Sequence, residues 1–151
     1  MRWKLPLVIA TVCAMSGASA LAATAAGTIS ARQVNYKQIG KAFKAIQDET
    51  RKSAPSFALI RANARTIHGL AQRIPRWFPR GSGPETGVRT RALPIIWQQP
   101  AQFRQSAANL VRAARALDAA AARGDAGATQ AAATGLGEAC KACHLTYRTR
   151  E

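Results

Sequence analysis

Along most of this chain apolar residues recur at the spacing of an α-helix. From Ile29 to about Thr50, Tyr36, Ile39, Phe43 and Ile46 step by three, four and three, and Ser30 stands where an N-cap would. Pro55 and Ser56 mark a fresh start, after which Phe57, Ile60, Ile67, Leu70 and Ile74 trace a second helix ending before Pro75. Residues 75–99 keep no helical period; Pro79, Gly81-Ser82-Gly83-Pro84 and Pro94 predict a long connection. Connections longer than about 15 residues are uncommon in compact domains unless they cross over or serve a function. Pro100 suits the first turn of a third helix, whose Phe103, Ala107, Leu110, Ala114, Leu117 and Ala121 alternate by four and three. Gly124-Asp125-Ala126-Gly127 breaks that pattern. A fourth helix follows from near Thr129 to about Arg148, with Leu136, Cys140, Cys143 and Tyr147 along one side. Gly135 and Gly137 inside it each weaken it by about 1 kcal/mol against alanine, and leave room for another helix or a planar ligand. The expectation is an all-α fold, an antiparallel four-helix bundle with its long connection between helices two and three.

The first residues follow a different pattern. Arg2 and Lys4 precede an apolar run from Leu5 to about Met15, and small residues follow over 17–22. That order is a secretory signal, and the run is shorter than the roughly 20 residues that span a bilayer. Residues 1–22 are therefore expected to leave on export, with cleavage after Ala22 (or Ala20), and residues 23–151 to form one periplasmic domain without stable membrane insertion. Cys13 follows Val12, where a lipoprotein site would carry a small residue, and leaves with the signal.

Charge changes the picture little. The formal +15 becomes +13 once Arg2 and Lys4 are gone, and most basic residues are scattered through the helices. Such a surface favours anionic partners. Export and the lack of a docking motif argue against nucleic acid.

The chemistry is concentrated in Cys140-Lys141-Ala142-Cys143-His144. C-x-x-C-H is the sequence of covalent haem attachment. Positions i, i+3 and i+4 share a helix face, so two thiols can reach the two vinyl groups while the adjacent imidazole reaches the iron. A zinc site lacks its other ligands, a thioredoxin-type pair lacks its βαβ unit, and a plain disulfide leaves His144 unexplained. One haem c per chain is expected, with His144 as axial ligand. Methionine would be the usual sixth ligand of an electron carrier. The chain's two methionines, Met1 and Met15, both leave with the signal. His68 reads as a helix-face histidine beside an apolar stripe, and Lys37 or Lys41 would be rarer ligands. The iron is thus expected to be five-coordinate and open to small diatomic gases.

These residues resemble the class II cytochromes c, and cytochrome c′ in particular. The resemblance rests on C-x-x-C-H near the C-terminus and on Arg32-Gln33, Tyr36-Lys37 and Gly40 in the first helix. It rests also on Ala92-Leu93-Pro94-Ile95-Ile96-Trp97 followed by Phe103, and loosely on Ile74-Pro75-Arg76-Trp77-Phe78-Pro79. It implies that Arg32 lies near a haem propionate, where a charge-assisted donor is wanted. It implies that Tyr36 is the bulky distal residue crowding the vacant iron position, and that Arg148 lies on the proximal side. Trp97 and Phe103 read as packing residues. The family further implies electron transfer, binding of nitric oxide or carbon monoxide, and a homodimer through the first two helices, a state the basic faces leave open. An enzyme acting on peroxide or nitric oxide, a six-coordinate low-spin carrier with a non-methionine sixth ligand, and a basic helical protein with a disulfide are the alternatives. A peroxidase would want a distal histidine for proton transfer, and only His68 is available.

Overall fold

The computed structural model describes residues 16–150, so the basic start, the apolar run, Cys13 and both methionines lie outside the described residues. Helix α1 spans Ser16–Thr50, α2 Phe57–Ala71, α3 Ile95–Gln98, α4 Pro100–Ala122 and α5 Ala126–Tyr147. Four of these are long and form an antiparallel bundle, as the periodicity predicts. Around the bundle α1 packs on α2, α2 on α4, α4 on α5, and α5 on α1. The α2–α4 seam is the densest of the four and the α5–α1 seam the sparsest.

The expected cap at Ser30 is wrong. Ser30 sits inside α1, which begins at Ser16. The alanine-rich stretch before it is strongly helix-forming, and a serine caps only where the preceding residues leave the helix. Ser56 does cap: its hydroxyl accepts from the Leu59 backbone N–H at 3.4 Å. The α1–α2 turn is pinned by buried Glu49, which accepts from the Ser56 N–H at 3.0 Å and from Lys52 Nζ at 2.6 Å. At the other end Gly124, at φ +69°, closes α4 in the left-handed region that glycine favours. The Asp125 carboxylate then caps α5 by accepting from Ala128 N–H at 2.9 Å, so the fourth long helix starts three residues before Thr129.

The core follows the stripes. Ile60, Ala64, Ile67, Ala71 and Ile74 from the α2 side meet Phe103, Ala107, Leu110, Ala114, Leu117 and Ala121 of α4, all buried. Each set alternates a large side chain with alanine, and the alanine rows let the two backbones approach. Burial of each isoleucine or leucine there contributes about 1.5–3 kcal/mol.

The long connection is more structured than its sequence suggests. It holds one 3-10 turn at Ile74–Trp77, another at Pro84–Thr86, and the single turn α3. Pro75 and Pro84 each stand at the first positions of a turn, where a missing N–H costs nothing. Near its end the connection pairs with the chain beyond α5. Leu93 N–H donates to Tyr147 O at 3.0 Å and Thr149 N–H to Arg91 O at 2.9 Å, around an antiparallel bridge between Ala92 and Arg148.

Candidate functional site

Cys140, Cys143 and His144 share one face of α5 and open together on a cavity of about 490 Å³ between α1, α4 and α5. That volume lies within the range of about 300–1,000 Å³ typical of cofactor pockets. The walls are mainly apolar, from Ile39, Phe103, Ala107 and Leu110, while Arg32, Lys37, Arg91 and Arg148 also border it. Gly40 of α1 lies on this wall, and a side chain added there would meet no atom within 4 Å.

Both cysteines are unpaired thiols, half-buried. Burial pushes Cys140 up, and burial together with the neighbouring Cys140 pushes Cys143 up to about 11. Reactive redox cysteines have lowered values, so this environment does not suit a thioredoxin-type couple. His144 is pushed down, first by desolvation and then by the charges of Arg148 and Arg91. Neutral imidazole is the form that ligates a metal.

Tyr36 faces the same cavity from α1. Its ring packs edge-on against Trp77 at 5.3 Å and Phe78 at 6.3 Å. An aromatic chain continues from Phe78 to Phe103 at 5.0 Å and from Phe103 to Tyr147 at 5.1 Å, which ties α1 to α5 behind the cavity. Burial, with a smaller contribution from Cys143, raises the Tyr36 hydroxyl well above the ordinary phenol value; Arg32 opposes the shift without cancelling it. The surrounding protein thus favours the protonated phenol.

Arg32 is buried at the cavity edge and holds the long connection. Its Nη1 donates to Ser82 O at 2.7 Å and Ser82 Oγ at 3.1 Å, and its Nη2 donates to Thr90 Oγ1 at 2.8 Å. The guanidinium lies 4.6 Å from the centre of the Phe78 ring. Among the described residues no carboxylate lies within ion-pair distance of it. Arg148 ends α5, its N–H donating to His144 O at 3.2 Å, so it is both a cation at a helix C-terminus and a cavity residue. Trp97 packs as expected: its Nε1 donates to Phe78 O and Pro79 O at 3.1 and 3.0 Å. His68 is half-buried on α2 and, like Lys41, lies away from the cavity wall, whereas Lys37 is on it.

Sequence reasoning did not find Arg91, Ser82 or Thr90. They come to the site through the connection's path, about 50 residues from Arg32, and no periodic signal marks them. Phe43 lies on the apolar stripe of α1, yet it is only half-buried and also borders the cavity.

The donor set fits a covalently held haem: two protonated thiols three residues apart, a neutral imidazole beside them, an apolar chamber for a planar ring, and cations at its edge. The family model described as Cytochrome C′ matches residues 27–148. A cytochrome c-556 from Agrobacterium tumefaciens (strain II Chrys) is 36% identical over 127 residues, covering 83% of this chain and 100% of that protein. A cytochrome c-554 from Cereibacter sphaeroides is 38% identical over 89 residues, covering 58% of this chain and 58% of that relative, so the matched stretch spans just over half its length. The crystal structure of cytochrome c′ from Thermochromatium tepidum superposes with a TM-score of 0.74 at 30% identity, covering 83% of this chain and 97% of that one. Nitric oxide complexes of cytochrome c′ variants from Alcaligenes xylosoxidans include one with a TM-score of 0.72 at 28% identity, covering 82% and 94%. The chain belongs to the cytochrome c′ family, whose members are c-type haem proteins carrying one covalently bound haem c per chain.

Proposed function

We propose that residues 1–22 export this chain to the periplasm, and that residues 23–151 form a five-coordinate haem protein. It binds nitric oxide or carbon monoxide, exchanges electrons with anionic redox partners, and is not an enzyme. Cys140 and Cys143 hold the haem as thioethers and His144 ligates its iron. When bound, that group supplies the coordination of gas and the change of redox state. The protein's own part is ligation, exclusion of water and crowding. His144 is kept neutral, Arg32 presents a buried cation suited to a propionate, and Tyr36 presents a protonated, packed ring to the far side. Arg148 and Arg91 set the charge around the ligating imidazole.

The observation carrying the five-coordinate reading is the make-up of the cavity onto which His144 opens. Its wall carries Tyr36 and no methionine or second histidine among the described residues. Among the described residues no helix is long and apolar enough to cross a membrane. The relevant test is spectroscopic, on the protein isolated from the periplasm with its N-terminus sequenced. A c-type pyridine haemochrome resistant to acid–acetone, a broad high-spin Soret band and its shift under carbon monoxide are expected. A reduced protein with sharp α and β bands that ignores carbon monoxide would overturn the open site, and steady peroxide turnover well above free haem would overturn the non-enzyme reading.

One observation favours a second reading. Lys37 follows Tyr36 on the cavity wall and could supply a sixth ligand. In that case Lys37→Ala converts a low-spin spectrum to a high-spin one. A homodimer through α1 and α2 is supported by Val34 and Leu59, large apolar residues about half exposed on those helices. A related cytochrome c′ is described as showing ligand-controlled dimer dissociation. Sedimentation of the haem-loaded protein with and without carbon monoxide tests both.

A further inference from the structure

A second depression lies along the sparse α1–α5 seam. This surface groove of about 310 Å³ is lined by Gln47 and Thr50 of α1 and by Gln130, Thr134, Glu138 and Lys141 of α5. Its inner end is formed by Phe43, Ala133 and Gly137. Phe43 is the one side chain that borders both this groove and the cavity holding Cys140, Cys143 and His144. Its ring stands against bare α5 backbone: a Cβ added at Gly137 would come within 3.1 Å of Phe43 Cζ. A single aromatic ring, half-buried, thus divides an apolar chamber from a solvent-lined groove, and it faces a residue with no side chain to hold it.

Two other boundaries are less suited to passage. Behind Tyr36 the wall is closed by the edge-on contacts with Trp77 and Phe78. The end nearest Arg91 and Arg148 is tied by the pairing of the connection to the chain after α5. On that basis we propose that small uncharged diatomic ligands enter and leave through the α1–α5 seam, with Phe43 as the gate. The proposal rests on the gas-binding reading above. The groove's amides and hydroxyls hold water at its outer end, while a neutral diatomic molecule loses little on leaving them for the apolar chamber. Passage needs only a rotation of the Phe43 ring past the bare α5 backbone at Gly137, where no side chain obstructs it.

A gate alters the path and not the end states, so it changes entry and exit rates together and leaves the equilibrium where it was. The test is flash photolysis of the carbon monoxide complex of the haem-loaded protein, with an independent measurement of dissociation. Phe43→Ala is expected to raise both rates by about tenfold, with the equilibrium constant within about twofold, and Phe43→Trp to lower both. Gly137→Ala, which crowds the ring by a few tenths of an ångström, is expected to lower both more mildly; it also serves should Phe43→Ala fold poorly. Rates unmoved by every variant overturn the gate, as does a change in affinity that follows the change in one rate alone. A wild-type protein that loads haem but binds no carbon monoxide defeats the gas-binding reading itself, which is a distinguishable failure.

Discussion

The two halves of the bundle are built on opposite principles. At the α2–α4 seam, alternating large and small side chains interlock: Ile60, Ile67, Ala64, Ala71, Ala114 and Leu117 are all essentially inaccessible. Asp118 of α4 accepts from Arg61 Nε and Arg65 Nε of α2, each at 3.0 Å, across the rim. At the α1–α5 seam, Tyr36, Phe43, Cys140 and Cys143 are only partly buried and line the haem-sized chamber. These side chains line the chamber that suits a haem, so this seam is shaped around a cofactor, whereas the dense seam packs side chain against side chain. The lesson is that stability and chemistry have been separated onto opposite seams. Substitutions should respect that division.

The sharpest contrast is expected from the attachment residues. Replacing Cys140 and Cys143 together by alanine removes all haem that survives acid–acetone extraction. Persistence of covalently bound haem in that variant would displace the site from α5. Next comes Leu117→Ala, fully buried in the dense seam, with an expected loss of about 2–5 kcal/mol in denaturant unfolding. Phe43→Ala should cost less than about 2 kcal/mol by the same measurement, since a half-buried ring has less packed contact to lose. Equal losses at the two positions would break the comparison.

Arg32 links the halves and gives an effect smaller than that at Leu117. Arg32→Ala leaves Ser82 and Thr90 without their buried donor and should cost about 1.5–3 kcal/mol, as for hydrogen bonds to charged groups. Faster amide exchange over residues 79–91 is the local readout. Arg32→Lys should not restore it, because a single ammonium cannot reproduce the planar fork that bonds two loop residues at once.

The smallest effect belongs to the rim of the dense seam. Asp118→Asn should cost less than about 1 kcal/mol, the range of exposed ion pairs. Burial pushes the Asp118 carboxyl up, but hydrogen bonds from Arg61 and Arg65 outweigh it and hold it below the usual carboxylate range. A depressed folded value means the stabilisation is complete above the unfolded value of about 3.9 and fades as pH falls through the folded one. The wild-type advantage over Asp118→Asn should therefore vanish in acid. An advantage that grows toward low pH would contradict the ion-pair geometry.

Much of this was legible residue by residue. The stripes of α2 and α4 appear in the structure almost position for position, because a helix that packs on one face must repeat its apolar residues with the helical period. C-x-x-C-H announced its chemistry for the same reason: residues i, i+3 and i+4 cannot avoid one another on a helix. Helix ends were less legible. Ser30 has the chemistry of a cap but sits inside an alanine-rich helix, whereas Asp125, within a glycine-flanked break, starts α5 with its carboxylate.

The sequence by itself determined an all-α bundle, the location of the dithiol and histidine, and the helix faces that would meet. Those are local, periodic properties. Only the tertiary structure decided which polar groups meet across long separations. It brought Arg32 to Ser82 and Thr90, set Arg91 beside His144, and left Phe43 between two cavities. The path of a connection without a period, and the looseness of one seam relative to another, depend on how whole helices settle against each other. No spacing along the chain records that.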